Sequence, residues 1–170
     1  MDSTALRALQ APLKERYRED PDAAHITLRA SGTLGEEKIS CKLDTGRALA
    51  EAGLHPATGG SGLELCSGDL LLEALVACAG VTLKSVATAL DIPIRSGSVF
   101  AEGDLDFRGT LAVSRDAPVG FTAIRLRFSL ESDASDDKLA TLLKLTERYC
   151  VVLQTIRTSP VLDSRIERAT

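Results

Sequence analysis

Sulfur carries the candidate chemistry of this chain. Four cysteines stand at positions 41, 66, 78 and 150, with no CxxC pair among them, and the two histidines are His25 and His55. That is a poor zinc set, because structural zinc takes four Cys or His ligands, characteristically in closely spaced pairs. In a reducing compartment it is not a disulfide framework either. What remains for these sulfurs is redox or nucleophilic work, in which the thiolate is the reactive species. Cys78 lies inside LLLEALVACAGVTL, residues 70–83, the most apolar segment of the chain. Two readings stand at this point: a buried free cysteine is a small inert hydrophobe, or the thiol is held in a dry pocket because it reacts. Cys150, in ERYCVVLQT, sits on a buried helical stripe and poses the same choice. Cys41 in a strand pattern, Cys66 beside a loop, His25 at a strand end and His55 in a loop read as structural or solvated.

Periodicity defines the elements that must position these sulfurs. Ser3 to Glu19 reads as a helix, with Leu6, Leu9, Leu13 and Tyr17 at helical spacing and Asp20-Pro21-Asp22 as its stop. HITLRA (25–30) and KISCKL (38–43) alternate as a hairpin would, with SGTLGEE between them as the turn. GLHPATGGSG, 53–62, is loop in composition. A helix then runs from a Ser67 cap to about Leu90, ended by Asp91-Ile92-Pro93. At about 100° per residue its Thr82 and Ser85 fall within about 40° of Cys78, and Asp69 about 180° away. SVFAEGDLDFRGTLAV and GFTAIRLRFSLES read as two long antiparallel strands joined by SRDAPV. Asp133 or Ser135 caps a further helix in which Leu139, Leu142, Leu143 and Thr146 lead to Cys150 and Leu153, and Val161–Ile166 reads as a last strand. Strands, a long buried helix, strands and helices in that order describe an α+β fold, with antiparallel sheets packed around the central helix. A helix apolar over most of its circumference needs cover on more than one side, which points to a homodimer.

The 170 residues, at 18.0 kDa, fit an N-terminal helical arm, 1–21, and one domain, 22–170. With 44% hydrophobic and 26% charged residues the chain reads as globular, and a net charge of −4 leaves no basic surplus for nucleic acid. The uncharged run Ala74–Leu83 is shorter than the roughly 18–20 residues of a membrane span. The charged N-terminus lacks the apolar stretch of a signal peptide. A cytoplasmic protein without a membrane partner is expected.

GGSGLELCSGDLLLEALVACAGVTL resembles the first-cysteine segment of the OsmC/Ohr family, and ERYCVVLQT its second-cysteine segment in the OsmC-like branch. GDLDFRGTLAVSRDAPVGFTAIRLRF is similar to the strand pair between them, so the resemblance covers about Asp22 to Glu167. It implies an intertwined homodimer that reduces organic hydroperoxides with a dithiol reductant, of lipoyl type or another, and needs no cofactor or metal. Cys78 matches the cysteine that attacks the peroxide and becomes a sulfenic acid, and Cys150 the cysteine that resolves it as a disulfide. The family supports the thiolate with a strand-borne arginine oriented by a carboxylate. Arg29, ending the HITLRA strand, is the candidate by position, with Arg148 and Arg157 beside Cys150 as alternatives. Ser67-Gly68-Asp69 stands where many members carry Pro-Glu or Pro-x-Glu, and Asp69 matches the second form by position. The alternative function is a redox-inactive module on the same scaffold that binds a small hydrophobic ligand beside Cys78.

Overall fold

The computed structural model describes residues 2–5, 8, 10, 11, 19, 31–34, 40–44, 49–112 and 114–168, with backbone alone at 31–34, 40–44, 49 and 50. Every described residue between 3 and 19 is helical. His25–Ala30, Arg29 included, lies outside the described residues.

The first sheet comprises β1 (Ser31–Leu34), β2 (Ser40–Asp44), β3 (Leu49–Gly53) and β4 (Leu65–Cys66), in that spatial order. Ser31–Leu34, expected as the turn of a hairpin, is thus itself a strand, and its partner is β2 with Ser31 opposite Asp44. β3 pairs antiparallel with β2 and parallel with β4, so the sheet is not wholly antiparallel. The loop composition after Gly53 matches a single 3-10 turn, Pro56–Thr58, whose first amides are capped by His55 Nδ1 accepting from Ala57 N at 3.0 Å.

The central helix α1 (Ser67–Ala89) starts directly from β4, with Cys66 rather than Ser67 at the cap position and Asp69 in its first turn. Its end is a two-bond cap: the Ile92 amide donates to the Ala87 carbonyl at 2.9 Å and the Asp91 amide to Thr88 at 3.3 Å. Asp91 takes the left-handed conformation, φ 52°, that this cap requires, and Ile92 packs back on Ala87. Pro93 then prevents any continuation.

β5 (Ser96–Leu105) and β6 (Phe121–Glu131) form a two-stranded antiparallel ribbon, Ser96 opposite Glu131 and Leu105 opposite Phe121. Alternation sends Val99, Ala101, Ile124, Leu126 and Phe128 toward the helices, while Glu102, Asp104, Arg125 and Arg127 face outward. On that outer face Arg125 Nη2 meets Asp104 at 2.7 Å and the Arg127 guanidinium lies 4.2 Å from the Phe100 ring centre. The first strand is shorter than its alternation implied. Asp106 accepts from the Arg108 amide at 3.1 Å and starts the single-turn helix α2 (Phe107–Thr110), which diverts the chain before it could extend the ribbon.

α3 (Asp136–Tyr149) is capped at Ser135, and α4 (Val151–Arg157) follows after one residue. α3 and α4 replace the one continuous helix expected through Leu153. Val161–Ile166 forms no strand; it has no regular secondary structure and is exposed.

Two apolar clusters lie along α1. Leu83 and Ala87 pack with Leu142 of α3 and with Ile92, and Leu75 and Ala79 pack with Cys150. α1 and α3 therefore run antiparallel, with the α3–α4 junction level with the middle of α1. Among the described residues α1 is long and apolar enough to cross a bilayer by length and composition, a property its longest uncharged run conceals. Its stripe Leu75, Ala79, Leu83 and Ala87 is buried against α3 and the ribbon.

Candidate active site

Cys78 and Cys150 meet although 72 residues separate them in sequence (150 minus 78). Cys78 projects from the middle of α1 and is half-buried; Cys150 is 0% exposed and links two helices. Around them stand Leu75, Ala79, Val99, Ala101, Ile124, Leu126, Val152, Leu153 and Ile156, an apolar shell to which Thr82 adds a hydroxyl. Both thiols are free.

The junction geometry sets the electrostatics. Cys150 closes α3, its amide donating to the Thr146 carbonyl at 2.9 Å, and with φ −72° and ψ 105° it leaves helical conformation for one residue. The next helix starts immediately, and the first amides of a helix have no partner within it. The amides of Val152 and Val151 act on the Cys78 sulfur instead and lower its pKa. The Cys150 thiol and the Thr82 hydroxyl, one turn along α1, lower it in the same way. Burial pushes the Cys78 thiol up, but these donors outweigh it and hold it below the usual cysteine range. Cys150 moves the opposite way: burial raises it most, and its hydrogen bond to Cys78 and the Cys78 charge add to that, against amides of Leu153 and Val152. The result is an asymmetric pair, a half-buried sulfur whose pKa is lowered and a buried sulfur whose pKa is raised.

Among the described residues no cation is one of the groups that lower Cys78. Arg148 lies 5.6 Å from the Tyr149 ring centre, and Arg157 Nη2 is 3.7 Å from Glu147. Asp69 is exposed and borders a hollow lined by Leu72, Glu73, Val76, Ala77 and Ala101, on another face of α1 from Cys78. The structure thus brings Cys78 and Cys150 together and does not bring Asp69, Arg148 or Arg157 to them. Cys66 caps α1, Cys41 sits in β2 opposite Ala52, and His55 stacks on Phe107 with ring centres 5.0 Å apart. No group of three or more His, Cys, Asp or Glu placed to hold a metal occurs among the described residues. The amides of Val151 and Val152 carry no side-chain signature, and sequence reasoning missed them.

An open cleft of about 680 Å³ adjoins the sulfur cluster. It shares Ile124, Leu126, Leu153 and Ile156 with that cluster, and its wall also includes Leu71, Phe121 and, among polar residues, Thr155 and Arg157. A second hollow, about 510 Å³ and also apolar, lies between α1, β6 and α3 around Leu83, Phe128 and Leu139.

A long central helix flanked by two small sheets, with paired thiols beneath the helix junction, defines an α+β thiol protein. The chain belongs to the OsmC-like protein family, whose model matches residues 60–165. Its fold is similar to that of an OsmC-like protein of Mycoplasma pneumoniae, with TM-score 0.66 and 17% identity over 79% of this chain and 89% of that one. An organic hydroperoxide resistance protein of Legionella pneumophila superposes with TM-score 0.61 and 15% identity, over 78% of this chain and 92% of its own. Another organic hydroperoxide resistance protein, of Elizabethkingia anophelis, gives TM-score 0.61 and 15% identity over 79% and 91%. Comparison with curated proteins finds no match.

Proposed function

We propose that the protein is a thiol-dependent peroxidase that reduces organic hydroperoxides to alcohols through Cys78 and Cys150. The observation that carries this reading is the packing of the half-buried Cys78 against the buried Cys150, with their pKa values shifted in opposite directions, since a two-cysteine peroxidase needs one sulfur as thiolate and a second sulfur in contact with it. Family membership and the fold shared with hydroperoxide resistance proteins support it.

In this reading the Cys78 thiolate attacks the terminal peroxide oxygen. The O–O bond breaks, the alkoxide takes a proton and leaves as alcohol, and Cys78 is oxidised to the sulfenic acid. Cys150 then attacks the Cys78 sulfur. An S–S bond forms, hydroxide leaves and departs as water with the Cys150 proton, and a dithiol, of lipoyl type or another, reduces the disulfide. The apolar cleft beside the pair favours a bulky organic peroxide over hydrogen peroxide. Arg29 remains the candidate supporting cation by sequence position, and Asp69 serves as a first-turn residue at the favourable end of the α1 dipole. The working unit is a homodimer, because α1 leaves Val81 72% exposed in the single chain and Leu63, Leu162 and Ile166 are also uncovered.

Consumption of cumene hydroperoxide with a dithiol reductant tests the proposal. Turnover is expected in the wild type, none in Cys78→Ser, and in Cys150→Ser a single turnover that stalls at the sulfenate or relies on external thiol. Absence of turnover in the wild type, with both thiols unreactive, would favour the redox-inactive ligand-binding module, for which the same cleft would be the binding site.

A further inference from the structure

Thr146 is the one described residue with a fully buried side-chain polar atom that lacks a hydrogen-bond partner. It is 1% exposed, on α3, one turn before Cys150. Burying a hydroxyl with no partner is unfavourable, and a threonine in a helix has a ready remedy: it bonds the carbonyl one turn back. Thr88 does so to Lys84 at 2.8 Å and Thr141 to Asp137 at 2.9 Å. Thr82 uses the same spacing to reach Cys78. Thr146, in the same kind of helix, forms no such bond.

Its place in the fold gives the hydroxyl a task. Leu142, one turn before it, packs on Leu83 and Ala87, and Cys150, one turn after it, packs on Leu75 and Ala79. Thr146 therefore occupies the α3 face turned toward α1, between the apolar core and the thiol pair, and its carbonyl already accepts the Cys150 amide. Residues four apart on a helix face are neighbours, about 5–6 Å between β-carbons.

We propose that Thr146 is a positioning residue for the resolving step, its hydroxyl donating to the Cys150 sulfur as that sulfur gives up its proton. This inference rests on the peroxidase reading. In the reduced pair burial and the neighbouring Cys78 both hold the Cys150 thiol above the usual cysteine range, so it has no use for a second donor. Attack on a hydroperoxide converts the Cys78 thiolate to a neutral sulfenic acid. Of the effects that hold the Cys150 proton, the Cys78 charge and the bond to Cys78 are then lost, and burial remains. A donor already desolvated beside Cys150 offsets burial and stabilises the charge that develops on its sulfur as it attacks Cys78: the S–S bond forms, the S–O bond breaks, and the leaving hydroxide takes the Cys150 proton and departs as water.

The test separates the two chemical steps. Reduced protein is mixed with one equivalent of cumene hydroperoxide, and Cys78 sulfenate, trapped with dimedone, and the Cys78–Cys150 disulfide are followed in time by mass spectrometry. Thr146→Val keeps the shape and removes the hydroxyl. It is expected to form sulfenate at the wild-type rate and disulfide about tenfold more slowly, the effect of one lost charge-assisted hydrogen bond, with the midpoint of the resolving step's pH profile moved upward. Thr146→Ser is expected to restore the rate. Disulfide formation at the wild-type rate in Thr146→Val would overturn the role, as would a folded Thr146→Ser as slow as the valine variant. A wild type whose Cys78 is not oxidised would overturn the peroxidase reading and this role with it.

Discussion

At Cys78 two effects oppose each other on a single sulfur. Burial disfavours its charge, and the donors Val152 N–H, Cys150 S–H, Thr82 O–H and Val151 N–H favour it. The donors prevail, so alkylation of Cys78 by iodoacetamide, followed by peptide mapping against pH, should show a midpoint below the ordinary value of about 8.5. Thr82→Val should move that midpoint upward, and Cys150 should label only on unfolding; a midpoint at or above the ordinary value would contradict the geometry. The sign of the linkage follows. With its folded pKa lowered, Cys78 contributes stability that is fully present above its unfolded pKa and fades as pH falls through the folded one. Cys150, raised, contributes stability fully present below its unfolded pKa and lost as pH rises through its folded one. At this scale much was legible in the sequence: helical periodicity alone places Thr82 on the side of Cys78 and Asp69 on another, and the structure agrees. Periodicity could not show backbone donors, which belong to no residue type.

Among the elements, the break at Cys150 matters most. The apolar spacing of Leu139, Leu142, Thr146 and Cys150 continues to Leu153, so a single helix is the natural reading, and only ψ 105° at Cys150 divides it. That division frees the Val151 and Val152 amides for Cys78. Val151 is the first residue of α4, where proline fits without breaking a helix, and the extended Cys150 before it suits a following proline. Val151→Pro should leave the far-UV circular dichroism of the protein unchanged and raise the Cys78 alkylation midpoint; an unshifted midpoint would show that this amide does not support the thiolate. The end of β5 was hidden for a related reason. Alternation runs on through DFRGTLAV, but Asp106 satisfies the Arg108 amide locally and turns the chain into α2. The stop of α1 was visible, because Asp91-Ile92-Pro93 carries both the left-handed residue and the block to continuation.

For the whole molecule, the order of alternating and helical segments was enough to give an α+β architecture around a long helix. Pairings between distant strands were less accessible. SGTL has neither alternation nor β-branched density to mark it as β1, and nothing local encodes the parallel contact of β3 with β4. The apolar circumference of α1 was legible as a demand for cover, and one chain meets it along the stripe Leu75, Ala79, Leu83 and Ala87 while Val81 stays open. Light scattering on the purified protein should therefore give the mass of two chains, and Val81→Asp should weaken that assembly toward the single-chain mass. A wild-type protein that stays monomeric at micromolar concentration would contradict the proposed dimer.

In the proposed function Cys78 and Cys150 act as one redox unit. The most direct measurement is disulfide mapping by mass spectrometry after the reduced protein meets one equivalent of cumene hydroperoxide. A single new Cys78–Cys150 bridge is expected, reversed by a dithiol, with no bridge to Cys41 or Cys66. Both sulfurs remaining as thiols, or oxidation at Cys41 or Cys66 instead, would contradict it.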